Sequence, residues 1–379
     1  MTIIDSGAAH PALAPLDVAG LDLRNRLAVA PMTRVSAAPD GTPTRQMADY
    51  YAEFARGGFG LVITEGTYTD DRHSPGYFNQ PGIVTDGHVA AWREVTERVH
   101  AAGARTVQQL MHAGALSQGN PYRPGTVGPS AVAPLREMMP EYGGSGPWPV
   151  PREMTAADID EAVAGFVAAA GNSLRAGFDG VEVHAANGYL LDQFLTDYTN
   201  RRTDGYGGAL INRLRLTAEV VAAIRADLGP DAVIGVRLSQ GKVNDFTHRW
   251  PGGARDAEVI FGTLAGAGAA YLHIASEGRS WIESATLDGE VTITQLARKV
   301  SGLPVIANGG MHDSGQAAEV LENGHADLLS LGHGALANPD LPRRLESGAT
   351  LAEFDHRLLQ PMATLDNAER HRRERAGAA

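Results

Sequence analysis

The sequence predicts an α/β protein of the (β/α)8 class, a TIM barrel carrying a lid insertion after its third strand. Three observations carry that expectation. Eight short β-rich apolar runs punctuate the chain, amphipathic helical stretches lie between them, and polar or glycine residues gather at the C-terminal ends of several runs. Strands alternating with helices pair in parallel through right-handed crossovers, and eight strands suffice to close a barrel.

The runs are, in order, LAVAPM (27–32), LVITEG (61–66), RTVQQLMH (105–112), GVEVHA (180–185), VIGVRLS (233–239), YLHIAS (271–276), PVIANG (304–309) and LLSLGHG (328–334). The helical stretches between them include DGHVAAWREVTERVHAAG and TAADIDEAVAGFVAAAGNSLRAG. The second opens on Thr155 as a cap for Asp158 and closes at Gly177, as helix start and stop signals should. Residues 117–152 break the rhythm with eight prolines and no helical period. A loop of that length is usually functional or disordered. Its place after the third strand sets it over the C-terminal face, so it reads as a lid subdomain. The whole chain, 1–379, reads as one barrel domain, with 349–379 as a C-terminal extension.

Composition removes several functions. The net charge of −12 argues against nucleic acid or an anionic membrane surface as partner. The absence of cysteine excludes disulfides, thiolate metal sites, iron–sulfur clusters and a cysteine nucleophile. The N-terminus lacks a secretory pattern and no apolar run approaches the ~20 residues of a membrane span, so a cytoplasmic protein is expected.

The strand ends carry the chemistry. They supply Pro31, Met32 and Thr33, then Glu65 and Gly66, Gln109 and His112, the stretch EVHAANGYLLDQFL with His184, Asn187 and Tyr189, and Arg237. Any one of these alone reads more readily as a cap or turn residue. An inward Arg237 needs an acceptor, either a carboxylate such as Glu65 or a ligand oxygen. Gln109 offers donor and acceptor, which suits one edge of a heterocycle or neighbouring backbone. Glycines at 309, 310, 332 and 334 follow strands seven and eight, where many barrels bind phosphate, although tight turns use glycine too. GHGALA (332–337) fits a dinucleotide fingerprint, but no further βαβ unit follows it. His112 and His184 lack metal-ligand spacing, and no metal site is expected. Lys242 lies just past strand five and Lys299 on a helix, which disfavours a Schiff-base lyase or aldolase. A non-catalytic small-molecule binder would leave Tyr189 without a purpose.

The segment HAANGYLLDQFLTDYTNRRTDGYGGALINRLRL (184–216) closely resembles the signature of the Old Yellow Enzyme family of FMN-dependent ene-reductases. NRLAVAPMTR, QLMHAGAL and NPDLPRRL resemble its other segments in the correct order, so the resemblance covers most of the chain. It implies tightly but non-covalently bound FMN across the barrel mouth, with NADPH or NADH as reductant. It implies flavin contacts from Pro31, Met32, Thr33, Gly66, Gln109 and Arg237, and phosphate contacts from Gly309, Gly310 and Gly332. It places His184 and Asn187 on the carbonyl oxygen of an α,β-unsaturated substrate, with hydride reaching the β-carbon and Tyr189 protonating the α-carbon. The same scaffold could instead perform desaturation, or quinone or nitro reduction. An oligomer is compatible with the sequence but not derivable from it.

Three departures stand out. His333 occupies the place of a phosphate-binding arginine, which should make FMN retention weaker or pH-sensitive. Met111 stands where some members put a tryptophan against the substrate. The segments 239–253 and 276–284 differ from the best-known members, and Trp281 is expected to help shape the substrate pocket.

Overall fold

Eight parallel strands close on themselves in sequence order. They are β1 (Leu27–Val29), β2 (Leu61–Ile63), β3 (Arg105–Met111), β4 (Gly180–Asn187), β5 (Ile234–Lys242), β6 (Tyr271–Ala275), β7 (Val305–Asn308) and β8 (Leu328–Leu331). The ring is completed where β8 pairs with β1, Leu329 opposite Leu27. This computed structural model describes residues 10–276, 281–289 and 291–377. All eight strands fall within the runs read from the sequence or extend them by a few residues.

Helices α1 (Arg45–Gly57), α2 (Asp86–Ala101), α3 (Ala156–Arg175), α4 (Arg215–Leu228), α5 (Ala254–Gly266), α6 (Ile293–Ser301) and α7 (Ser314–Glu322) form the outer layer. Their starts are chemically marked. Thr44 caps α1 and Thr85 caps α2, each accepting from a backbone N–H three residues on. Thr155 caps α3, as the sequence indicates, and with Asp158 it forms a reciprocal capping box. The chain then runs through a short helix (Leu341–Ser347) to a C-terminal helix (Leu365–Gly377), where Arg372 meets Glu53 of α1 at 3.1 Å.

The barrel is filled, and its lower end is plugged. A hairpin of Leu16–Val18 and Leu21–Leu23 inserts Val18, Leu21 and Leu23 against Ala28, Ile63, Val107 and Ile306. Above that layer the interior turns polar. Gly235 of β5 lies opposite Tyr271 of β6, and a Cβ at 235 would come 2.0 Å from the tyrosine ring. Glycine is what lets that ring lie across the barrel, with its hydroxyl reaching Glu182 of β4 at 3.1 Å. The plugged end leaves the opposite, C-terminal mouth as the place where a ligand can enter.

Within 117–152 the structure contains a two-residue strand at Val127–Gly128, paired in parallel with Arg152–Glu153, and a 3-10 turn at Pro140–Tyr142. Among the described residues, no helix is long and apolar enough to cross a membrane.

Candidate active site

At the C-terminal mouth lies a cavity of ≈ 690 Å³. Pro31, Met32 and Thr33 after β1, Gly66 after β2, and Gln109 and Met111 on β3 form part of its wall. His184, Asn187, Tyr189 and Arg237 line it from β4 and β5, and Gly309, Gly310, Gly332 and His333 from the turns after β7 and β8. Strand register explains part of this convergence. His184 lies opposite Arg237, and Arg237 opposite His273, on adjoining parallel strands.

His184 is buried, and its Nδ1 has no hydrogen-bond partner among the described residues. Burial, then the nearby Arg237 and His273, hold its pKa well below the ordinary histidine range. The ring is therefore neutral at physiological pH. Past it, β4 ends at Asn187 with a left-handed φ of 62°, a conformation that asparagine tolerates better than most residues. Among the hydrogen bonds that fix the turn, Asn187 N–H donates to Ser239 Oγ at 2.8 Å and Gly188 N–H to Asp192 at 2.7 Å. Tyr189 is thereby set beside His184, with ring centroids 4.9 Å apart, and its hydroxyl meets that of Tyr77.

Arg237 is buried to 5% exposure, and its Nη2 donates to Asn308 Oδ1 at 3.4 Å. Glu65, one of the two acceptors the sequence leaves open for Arg237, is turned elsewhere. It accepts from Arg34 N–H at 2.8 Å and from the Tyr51 hydroxyl at 3.1 Å, and burial pushes its pKa up to about 7. Glu182, buried below the cavity, is a carboxylate close enough for Arg237 to help lower its pKa.

At the far end, Gly309 and Gly310 take φ of 119° and 65° in succession, a turn that residues with a Cβ resist. His333 stacks flat on Phe354 at 4.0 Å, with His356 against the same pair and His312 also in the wall. Burial, then His356 and His312, push the His333 pKa down.

Two expectations need correction. Trp281 does not reach the cavity; it is 4% exposed and packs edge-on against His325. Lys242 belongs to β5 itself, where its ammonium is buried and bonded to both oxygens of Asp192 at 2.8 Å. The sequence reading also missed Tyr77, Tyr142, Met139 and Glu182. Tyr142 and Met139 enter the wall from 117–152, a segment without periodicity to show which side chains face inward. Among the described residues no group of three or more His, Asp or Glu side chains is placed to hold a metal ion.

The donor set suits a flavin mononucleotide. An apolar shelf (Pro31, Met32), a polar edge (Gln109, Arg237) and a positive-φ glycine turn lie along one cavity. A ring system, its electron-rich edge and a phosphate require those features in that order.

Comparison with known proteins agrees with this geometry. Residues 12–352 match the NADH:flavin oxidoreductase / NADH oxidase family. The chain is 34% identical over 358 residues to 12-oxophytodienoate reductase 1 of Oryza sativa subsp. japonica, covering 93% of this chain and 90% of the relative. Among solved structures, the old yellow enzyme homologue from Zymomonas mobilis superimposes with a TM-score of 0.84 at 33% identity, covering 94% and 98% of the two chains. Morphinone reductase in complex with tetrahydroNAD gives 0.79 at 36% identity, covering 91% and 92%.

Proposed function

Because the chain belongs to the NADH:flavin oxidoreductase / NADH oxidase family, the Old Yellow Enzyme family of FMN- and NAD(P)H-dependent oxidoreductases, we propose that it reduces the carbon–carbon double bond of an α,β-unsaturated carbonyl compound. Bound FMN supplies the hydride chemistry, from NADH or NADPH to the β-carbon of that substrate. The observation that carries the reading is the convergence of His184, Asn187 and Tyr189 on the mouth of β4, with Arg237 beside them.

In this reading His184 and Asn187 hold the carbonyl oxygen of the substrate. A neutral His184 binds a neutral carbonyl without drawing in anions, and it gains most as charge develops on that oxygen. Donors placed in this way contribute about 3–4 kcal/mol each in comparable sites. Tyr189 delivers the proton from its hydroxyl to the α-carbon. Pro31, Met32, Thr33 and Gly66 hold the ring, Gln109 and Arg237 bond its polar edge, and Gly309, Gly310, Gly332 and His333 hold the phosphate. Met111 lies against the substrate, in the place where a bulkier side chain would narrow the pocket. The segment 117–152 acts as a lid, with Met139 and Tyr142 excluding water from the pocket. The carbonyl in the names oxophytodienoate and morphinone supports this substrate class.

The test is an anaerobic titration of the FMN-loaded protein. NADPH or NADH should bleach the yellow colour, and 2-cyclohexenone should restore it with cyclohexanone as product. Recovery of colour with a quinone or nitroarene but not with any enone would overturn the substrate class. A colourless protein that takes up no added FMN would contradict the reading altogether.

A further inference from the structure

Beneath the cavity floor a carboxylate gathers three hydrogen bonds from two strands, β3 and β6. Glu182, on β4, is 0% exposed. Its Oε1 accepts from Gln109 Nε2 at 2.8 Å, and its Oε2 from Tyr271 Oη at 3.1 Å and His273 Nδ1 at 2.9 Å. The far nitrogen of His273 lies 2.7 Å from Ser330 Oγ on β8. Burial alone would push the Glu182 pKa up, but the hydrogen bonds from His273 and Gln109 and the charge of Arg237 outweigh it, and the carboxyl stays ionised.

An ionised carboxylate has only acceptors, so it dictates the direction of every bond around it. Gln109 must turn its amide N–H₂ down, which leaves Oε1 on the Gly66 side, where a Cβ at 66 would come within 3.5 Å of it. His273, its pKa lowered first by burial, is neutral and carries its hydrogen on Nδ1. Its Nε2 is then an acceptor, and Ser330 must spend its hydroxyl hydrogen on it. Gln109 and Ser330 both line the cavity. The floor therefore offers acceptors at Gln109 and Ser330, while the guanidinium of Arg237 offers donors.

We propose that Glu182 is a positioning residue: through Gln109 and the His273–Ser330 relay it fixes the hydrogen-bond polarity of the cavity floor, and its charge sets the redox potential of the bound flavin. This rests on the family reading above. With the polarity fixed, the Gln109 oxygen receives a ring N–H without an amide flip, and a wrongly directed amide would leave donor facing donor. The buried negative charge opposes electron uptake one hydrogen bond away, partly offsetting Arg237.

The test compares FMN-loaded wild type with Glu182→Gln, which keeps the shape and removes both the charge and the fixed direction. The midpoint potential should shift positive, and FMN should bind roughly 3–10-fold more weakly, with the far-UV circular dichroism unchanged. A folded Glu182→Gln protein with wild-type potential and FMN affinity would overturn the inference. Should that variant fail to fold, nitrogen-15 NMR of the wild-type holoenzyme decides the direction of the relay. His273 should be neutral and protonated on Nδ1 from pH 6 to 8, and a cationic or Nε2-protonated ring would overturn the inference. Wild type that takes up no FMN would instead remove the family reading, and the inference with it.

Discussion

The hydroxyl of Tyr189 is hydrogen-bonded to that of Tyr77, a buried residue 112 positions earlier in the chain. Burial, then Tyr189 itself, push the Tyr77 pKa well above the ordinary tyrosine range, so Tyr77 stays protonated. In the proposed reaction it would hold the Tyr189 hydroxyl in place and share its hydrogen bond as the proton leaves. Tyr77→Phe should slow enone reduction about tenfold, the worth of one well-placed hydrogen bond. Flavin reduction by the nicotinamide should not change. Equal slowing of both half-reactions in stopped-flow absorbance would show that Tyr77 acts through the general shape of the pocket.

Asp192 and Lys242 are buried together just outside the cavity, and Asp192 also accepts from Gly188 N–H, which sets the turn before Tyr189. Removing one member of such a pair leaves a buried charge without compensation. Lys242→Met should lower the unfolding free energy by about 3–5 kcal/mol in urea denaturation. Combining it with Asp192→Leu should recover much of that loss. A single-variant loss below about 1 kcal/mol would place the pair in the weak, solvated class.

FMN retention should depend on pH through His333. In the free protein its pKa lies below the usual range because of burial and of His356 and His312. Of the acidic groups nearby, Asp313 caps α7 and Asp355 is engaged by Arg357 and His371. A bound phosphate dianion favours the protonated ring, so binding takes up protons and affinity falls as pH rises. Between pH 6.5 and 8.5 the FMN dissociation constant should rise about fivefold, the difference between a charged and a neutral hydrogen bond. Riboflavin, which lacks the phosphate, should show no such trend, and His333→Arg should flatten it. Parallel pH curves for FMN and riboflavin would exclude a phosphate role for His333.

The parts legible in the sequence are those governed by short-range periodicity. The eight strands, the Thr155 cap, and the inward residues Gln109, His184 and Arg237 could be placed because alternation and turn chemistry act over a few positions. What could not be read depends on pairing across the barrel. Glu182 stands two residues before His184 and shares its face, but its partners Tyr271 and His273 lie 89 and 91 residues away. Lys242 looks like a loop residue until Asp192, 50 residues earlier, is seen beneath it. Proximity to strand six does not tell which side of the barrel wall Trp281 takes. Charge alone leaves Glu65 open as an acceptor for Arg237, whereas Tyr51 and the Arg34 backbone satisfy it locally.

The central claim is that Tyr189 donates the proton while the flavin carries the hydride. Tyr189→Phe, loaded with FMN, separates the two in anaerobic stopped-flow. Bleaching by NADPH or NADH should proceed at the wild-type rate. Reoxidation by 2-cyclohexenone should slow by about 10²–10⁴-fold, the range for loss of a general acid. Wild-type reoxidation, or equal loss in both half-reactions, would contradict the account.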